Sequence, residues 1–180
     1  MPCMLDEGIA SRARIGLVVL ASDHTVEYEF RQVVTMPGVA IYQTRIPNSP
    51  KITTDSLRAM ETDIADQAAV ILPGVELDVL AYGCTSASIV LGEDRVFELI
   101  NKGRPEAQPT TPVTAAFAAF RALQSRRIGV VTPYSEDINR TVRQYFIDNG
   151  LQVPVFGSFN QIDDNRAARI STDSIRDAIM

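Results

Sequence analysis

What the chain lacks narrows the field first. It has no tryptophan, one histidine (His24) and two cysteines, Cys3 and Cys84, in 180 residues. Two isolated thiols do not make a disulfide framework, and no CxxC pair or Cys/His cluster has zinc-site spacing. A lone histidine cannot build a metal centre, so nothing in the sequence implies a metal. No apolar run approaches the ~18 residues of a membrane span. Met1 to Arg14 lacks the apolar core of a secretory signal, which makes a cytoplasmic location the expectation. Acidic residues outnumber basic ones, 22 to 17, giving a net charge of −5 and a pI near 4.9. That balance argues against nucleic acid as a main partner.

What is present is ordinary for a globular protein: 46% hydrophobic and 22% charged residues, enough for one domain or two small lobes. Short apolar runs read as buried strands at 14–21 (RIGLVVLA), 38–46, 77–84, 108–113, 127–131 and 151–159. Pro154 suits an edge strand. Helical periodicity fills the gaps. Leu57, Met60, Ile64, Ala68 and Ile71 predict one long amphipathic helix from Thr54 to Leu72, capped by Thr53 or Thr54 and stopped by Pro73-Gly74. A second helix is expected across Ser88 to Lys102, closed by Gly103. A third opens at Thr114, and a fourth at Ser135, with Glu136 and Asp137 in its first turn. The βαβα alternation predicts an α/β fold with mostly parallel strands. RIGLVVLASDHTVEYEF and RIGVVTPYSEDINRTVRQYF echo each other, by duplication or by chance. The last helix has Ile175, Ala178 and Ile179 as its inner face and stops at Met180 after barely two turns, so a second lobe is expected to be incomplete.

The stretch with most chemical content is Leu77 to Ser86, LDVLAYGCTS. It reads as a strand ending in a turn that carries one thiol and two hydroxyls. Ligands in open α/β sheets bind outside such strand ends. The Cys84 thiol, beside a helix start, is expected to have a lowered pKa; the other reading is a buried, inert cysteine. The Thr85 and Ser86 hydroxyls suit a carboxylate. Tyr134 follows a later strand in the same relative place and is either a donor to a developing oxyanion or a half-buried aromatic. Asn139 is suited to holding a substrate or the loop. His24 is an acid/base candidate or simply a solvated loop residue, and Asp23 and Thr25 read equally as helix caps. Thr110 and Thr111 are placed to face the same cleft, and Arg45 to pair with a carboxylate or lie on the surface.

Taken together, LASDHTVEYEF, AYGCTSAS and VTPYSEDIN resemble the aspartate/glutamate racemase superfamily, in its branch of maleate cis-trans isomerases and arylmalonate decarboxylases. IYQTRIPN, AYGCTSAS, TTPVTAA and GSFNQIDD are similar to the ectoine-utilisation group in particular. The resemblance covers residues 14–180. It implies two pseudo-symmetric flavodoxin-like lobes with parallel sheets, 1–113 and 114–180, the second truncated, with a cofactor-free active site between them. It implies a small-molecule carboxylate as partner, with no nucleic acid and no membrane, and leaves homo-oligomerisation open. Cys84 matches the first of two family cysteines, Thr85 and Ser86 the carboxylate-holding hydroxyls, Tyr134 the pocket tyrosine, and Asn139 the asparagine after it. His24 stands where the isomerases usually have asparagine. The second cysteine lies on a later strand, so the chain would have to continue past Met180 to supply it. The decarboxylases carry glycine in place of Cys84 and fit less well. The expected activity is that of a cofactor-independent isomerase or racemase acting on a small (di)carboxylate such as maleate through a cysteine nucleophile. The alternatives are a non-catalytic acid-binding or regulatory protein of an ectoine or amino-acid catabolic pathway, and an inactive truncated form.

Overall fold

A strand covered on both faces needs apolar residues at consecutive positions, and Ala13–Leu20 (β1, ARIGLVVL) has them. In the computed structural model, which describes residues 1–180, β1 lies inside a four-stranded parallel sheet. It pairs with β2 (Val39–Ile46) on one side and β3 (Val79–Tyr82) on the other, and β4 (Gln108–Thr110) continues beyond β3. The order is β2-β1-β3-β4. A second parallel sheet holds β5 (Arg127–Thr132) and β6 (Gln152–Ser158). The expected α/β class with parallel strands is thus what forms.

Alternation along β1 decides the layers. Leu17 and Val19 face α1 (Val26–Val33), where Val26 and Phe30 pack on them and on Ala81. Val18 faces the other way, into the main core with Leu80 and Tyr82. That core is filled from α2 (Thr54–Ala59), α3 (Ile64–Ala69) and α5 (Glu93–Gly103) through Leu57, Ile64, Ala68, Val96 and Ile100.

Two expected helices are broken. The stretch 54–72 is α2, a 3-10 turn at Met60–Thr62, then α3. Thr62 Oγ1 donates to the Ala59 carbonyl at 3.1 Å, a local bond that competes with the regular helical ladder. Leu57, Met60, Ile64 and Ala68 still reach the core, so the periodicity survives the break. Thr53 caps α2 in a reciprocal box with Ser56. The stretch 88–102 is divided between α4 (Thr85–Leu91) and α5 at Gly92, whose φ of +87° suits glycine.

The remaining helices are α6 (Pro112–Ala122), α7 (Glu136–Asp148), α8 (Asp164–Ala167) and α9 (Thr172–Ile179). α6 starts earlier than expected, because Thr111 caps it through the Thr114 N–H and Pro112 needs no N–H at the first position. α8 had no counterpart in the periodicity. Ile175 and Ile179, expected inward, are exposed on α9 and border an open groove beside Val131. α4 packs against α2, α5, α6 and α7, so it joins the helical layers of both sheets.

Gly103 ends α5 against α3. A Cβ there would lie 2.2 Å from the Ala65 carbonyl oxygen and 3.0 Å from the Ala68 Cβ. Gly103→Ala is expected to force these helices apart and cost about 1–3 kcal/mol in denaturant unfolding. Gly129→Ala, where a Cβ meets nothing within 4 Å, should leave the unfolding midpoint nearly unchanged.

Candidate active site

The chain leaves β1 towards β2 on one side and returns to β3 on the other. The connections after β1 and β3 therefore diverge and leave a crevice at the carboxyl ends of two adjacent strands. Gly83 closes that end of the sheet. Its N–H donates to the Val18 carbonyl at 2.8 Å, and a Cβ at this position would sit 3.1 Å from the same oxygen. The chain can then turn at once into Cys84, which occupies the N-cap position of α4.

Cys84 is buried, 4% exposed, and its Sγ lies 3.7 Å from Ser86 Oγ. Ser88 Oγ–H donates to the Cys84 carbonyl at 2.6 Å and fixes the turn from below. Burial pushes the thiol from its ordinary 9.0 up to about 11. The Ala87 N–H and the Ser86 hydroxyl and N–H pull it down, and the Asp164 carboxylate pushes it up. This reverses the expectation of a lowered pKa. The helix start does stabilise the thiolate, but losing water costs it more.

Tyr134 comes to the same place from β5. Burial first, then Cys84 and Asp164, raise its phenol above the ordinary value, while the Ser86 and Thr85 side chains act in the opposite direction. Cys84, Thr85, Ser86 and Tyr134, from two different sheets, are thus brought together. Tyr82, on the strand below, is held protonated by burial and by Cys84, and its hydroxyl reaches Met60 Sδ at 3.7 Å.

Asn139 stands one step back. Its Nδ2 donates to the Tyr134 carbonyl at 2.8 Å and its Oδ1 accepts from Thr132 Oγ1 at 2.5 Å. Of its two anticipated uses, the structure shows the loop-holding one. His24 is exposed, with Nε2 2.9 Å from Asn165 Oδ1. Asp23 caps α1 by accepting from the Thr25 and Val26 N–H groups. Arg45 donates to the Ala21 and Asp23 carbonyls and pairs with Glu27 at 3.0 Å, which ties down the loop after β1. Thr110 ends β4. Thr111 caps α6 and reaches Glu93 rather than the Cys84 crevice.

Sequence reading missed Asp164. Its carboxylate accepts from Ser22 Oγ and, at 3.4 Å, from Asn48 Nδ2. Asp164 and Ser86 line one small cavity of about 20 Å³, room for a single water. Asp164 ends the segment GSFNQIDD and its partner Asn48 ends IYQTRIPN, but neither segment shows that the two meet. Only the tertiary structure brings them together.

The architecture defines an α/β protein with a thiol and three hydroxyls at a topological switch point. The proteins it is similar to are maleate isomerases and arylmalonate decarboxylase. No family model matches the chain. Curated maleate isomerases of Pseudomonas putida and Geobacillus stearothermophilus are 26% identical over 167 residues and 25% identical over 166. Those alignments cover 86% and 81% of this chain but 66% and 62% of the relatives, so the chain spans less than two thirds of their length. Among solved structures, the maleate isomerase of Pseudomonas putida S16 with maleate has a TM-score of 0.81 at 23% identity, over 93% of this chain and 71% of that one. A Nocardia farcinica maleate cis-trans isomerase variant with a covalently bound succinylcysteine intermediate has a TM-score of 0.83 at 24% identity, with the same two coverages of 93% and 71%. A liganded variant of arylmalonate decarboxylase has a TM-score of 0.79 at 21% identity, over 92% and 70% of the two chains. The fold is the one these enzymes share.

The raised thiol has a sign that stability measurements can check. Above pH 9 the unfolded chain loses the Cys84 proton while the folded chain keeps it, so unfolding becomes easier up to about pH 11. Tyr82 and Tyr134, also raised, act in the same direction. The melting temperature is expected to fall across this window, and Cys84→Ala should flatten part of the fall. Asn139→Ala is expected to cost about 1–3 kcal/mol in denaturant unfolding, because it removes the main acceptor of the buried Thr132 hydroxyl and one of the two donors to the Tyr134 carbonyl.

Proposed function

We propose that this chain carries the first half of the active site of a cofactor-independent, cysteine-dependent isomerase or racemase. Its substrate is a small carboxylic acid, with maleate as the reference compound. The observation that carries the reading is the grouping of Cys84 with Thr85, Ser86 and Tyr134 at the switch point. The curated maleate isomerases support it, as does the covalent succinylcysteine in the Nocardia farcinica structure. We place the chain in the maleate isomerase and arylmalonate decarboxylase branch on the same grounds. The ectoine-utilisation affiliation rests on IYQTRIPN and GSFNQIDD, the division into lobes 1–113 and 114–180 on the two sheets, and both are part of the proposal.

In isomerase form, the Cys84 thiolate adds to one alkene carbon of the cis acid. A C–S bond forms, and the π electron pair moves towards the neighbouring carboxylate. The Thr85, Ser86 and Tyr134 hydroxyls hold that carboxylate and stabilise its added charge. The former double bond is now single and rotates. The electron pair then returns, the C–S bond breaks, and the trans acid and the thiolate are regenerated. No atom is gained or lost, and one hard rotation is replaced by two easier steps. In racemase form, Cys84 would remove or return an α-proton opposite a second thiol.

A thiol held near pKa 11 is a poor nucleophile at neutral pH. The reading therefore requires that substrate contact, or opening of the site, lowers it. Cys84→Ser is expected to reduce cis-trans turnover of maleate, followed by proton NMR, by about a thousandfold or more. Full turnover in that variant would overturn the proposal. Ligand-dependent melting shifts with no turnover in the unmodified protein would instead support an acid-binding role.

A further inference from the structure

The two halves of the site stand on different sheets, and those sheets share no strand pairing. Cys84, Thr85 and Ser86 open α4, while Tyr134 stands just before Ser135, the N-cap of α7. The bonds that Asn139 and Ser158 make to the Tyr134 carbonyl fix it within its own layer, not against Cys84. What sets one half against the other is the packing of α4 on α7. α4 is short, about 10 Å at 1.5 Å per residue. It ends at Gly92, where φ is +87° and the chain changes direction. A two-turn helix that ends on a glycine can pivot unless its far end is held. The next residue is Glu93.

The Glu93 carboxylate accepts from side chains of two other helices. On Oε1 it takes the Thr114 hydroxyl of α6 and, at 3.4 Å, the hydroxyl of Thr111, the α6 N-cap. Those two hydroxyls lie 2.8 Å apart and act as a pair. On Oε2 it takes the Tyr145 hydroxyl of α7. The Tyr145 ring is seated edge-on against Phe117 of α6, with centroids 6.0 Å apart, which aims its hydroxyl. Burial, the Glu93 bond and the nearby charges of Glu93 and Asp94 raise the Tyr145 phenol, so it stays a donor. Arg95 is committed to Glu61 and Glu98, and Arg140 to Glu136 and Asp137, so neither draws Glu93 away. A carboxylate acceptor makes such bonds roughly twice as strong as those between neutral groups. Glu93 lies 9 residues after Cys84, and Tyr145 lies 10 after Ser135. Both helices therefore start at the site and are tied together at similar distances from it.

We propose that Glu93 is a positioning residue of the Cys84 site: its carboxylate clasps Tyr145 of α7 and the Thr111–Thr114 pair of α6, and so keeps the start of α4 closed against Tyr134. Glu93 touches no substrate. It acts through α4, by holding the end of the helix whose first residues carry the thiol and hydroxyls. Without the clasp, α4 turns about Gly92, its first turn moves away from Tyr134, and water reaches the sulfur. This rests on the reading of Cys84, Thr85, Ser86 and Tyr134 as one site, and it names what controls the opening that an active thiol requires.

The test follows alkylation of Cys84 by iodoacetamide in the full chain, with Cys3→Ser as the parent so that the exposed thiol does not interfere. Glu93→Ala and Tyr145→Phe are expected to raise the alkylation rate about tenfold or more, through local opening. Thr114→Ser, which keeps the hydroxyl, should match the parent. Val153→Ala, which opens a hole in the core at β6, serves as the control for lost stability. A local movement of α4 exposes little surface, so the faster rate should hardly change in urea well below the unfolding transition, whereas reaction through global unfolding climbs steeply with urea. The proposal is overturned if folded Glu93→Ala and Tyr145→Phe react no faster than the parent, or if their rates rise with urea as that of Val153→Ala does. Should Glu93→Ala fail to fold, Tyr145→Phe, which removes a single oxygen, decides. The readout needs no turnover. A clasp effect in a chain that isomerises nothing would leave this inference standing and remove the catalytic reading, and unchanged alkylation in a chain that isomerises maleate would do the reverse.

Discussion

The site depends on how β3 is seated beside β1. Ile15, Gly16, Leu17 and Val18 pair with Val79, Leu80, Ala81 and Tyr82, and the Gly83 N–H adds one more bond to the Val18 carbonyl. That last bond sets where the strand stops and the turn begins. Side chains in a strand alternate between faces, so a slip of one residue would send Tyr82 to the α1 side and empty its place in the core. It would also move Cys84 off the start of α4. The glycine is required because the Val18 oxygen leaves no comfortable room for a side chain. Register, turn and thiol position are therefore one constraint.

α4 carries that constraint outward. Its first residues are the thiol and hydroxyl group, and its body touches helices that belong to both sheets. Ser86, Ala87, Ser88 and Ile89 are all buried, so the helix has little freedom to shift without disturbing either layer. Small residues make this possible, since Ser and Ala allow close approach on several sides at once. Tyr134 is anchored separately, by Asn139 and by Ser158, whose hydroxyl donates to the Tyr134 carbonyl at 2.6 Å. The two halves of the hydroxyl group are thus fixed by independent networks.

Much of this was legible in the chain itself. RIGLVVLA and LDVLAYGCTS were readable as strands because burial on both faces demands consecutive apolar residues; RIGVV also forms a strand, but Gly129 and Val131 leave one face of β5 exposed, against the expected burial. Cys84 was visible because a thiol followed by two hydroxyls is unusual at such a strand end. Helix continuity was less legible. The apolar spacing through Met60 and Ile64 is kept in α2 and α3, and spacing alone cannot show that the backbone between them tightens into a 3-10 turn. Gly92 was a breaker in plain sight, hidden by a good helical pattern on both sides. The direction of the Cys84 pKa shift was misread because the helix start is local and visible, whereas burial comes from distant parts of the fold. Asp164 was illegible for the same reason. It meets Ser22 across 142 positions of sequence, through backbone bonds that no side-chain pattern announces.

A protonated thiol and a nearly closed cavity belong to the same physical state. Burial keeps bulk solvent from the sulfur, so the proton stays there, and the cavity that Ser86 lines beside it has room for about one water molecule. A ligand carboxylate that enters beside Thr85, Ser86 and Tyr134 brings a negative charge, which by itself raises the thiol further. Activation must therefore come from opening of the site, which returns water to the sulfur, or from donors beyond the Ala87 and Ser86 groups that already favour the thiolate.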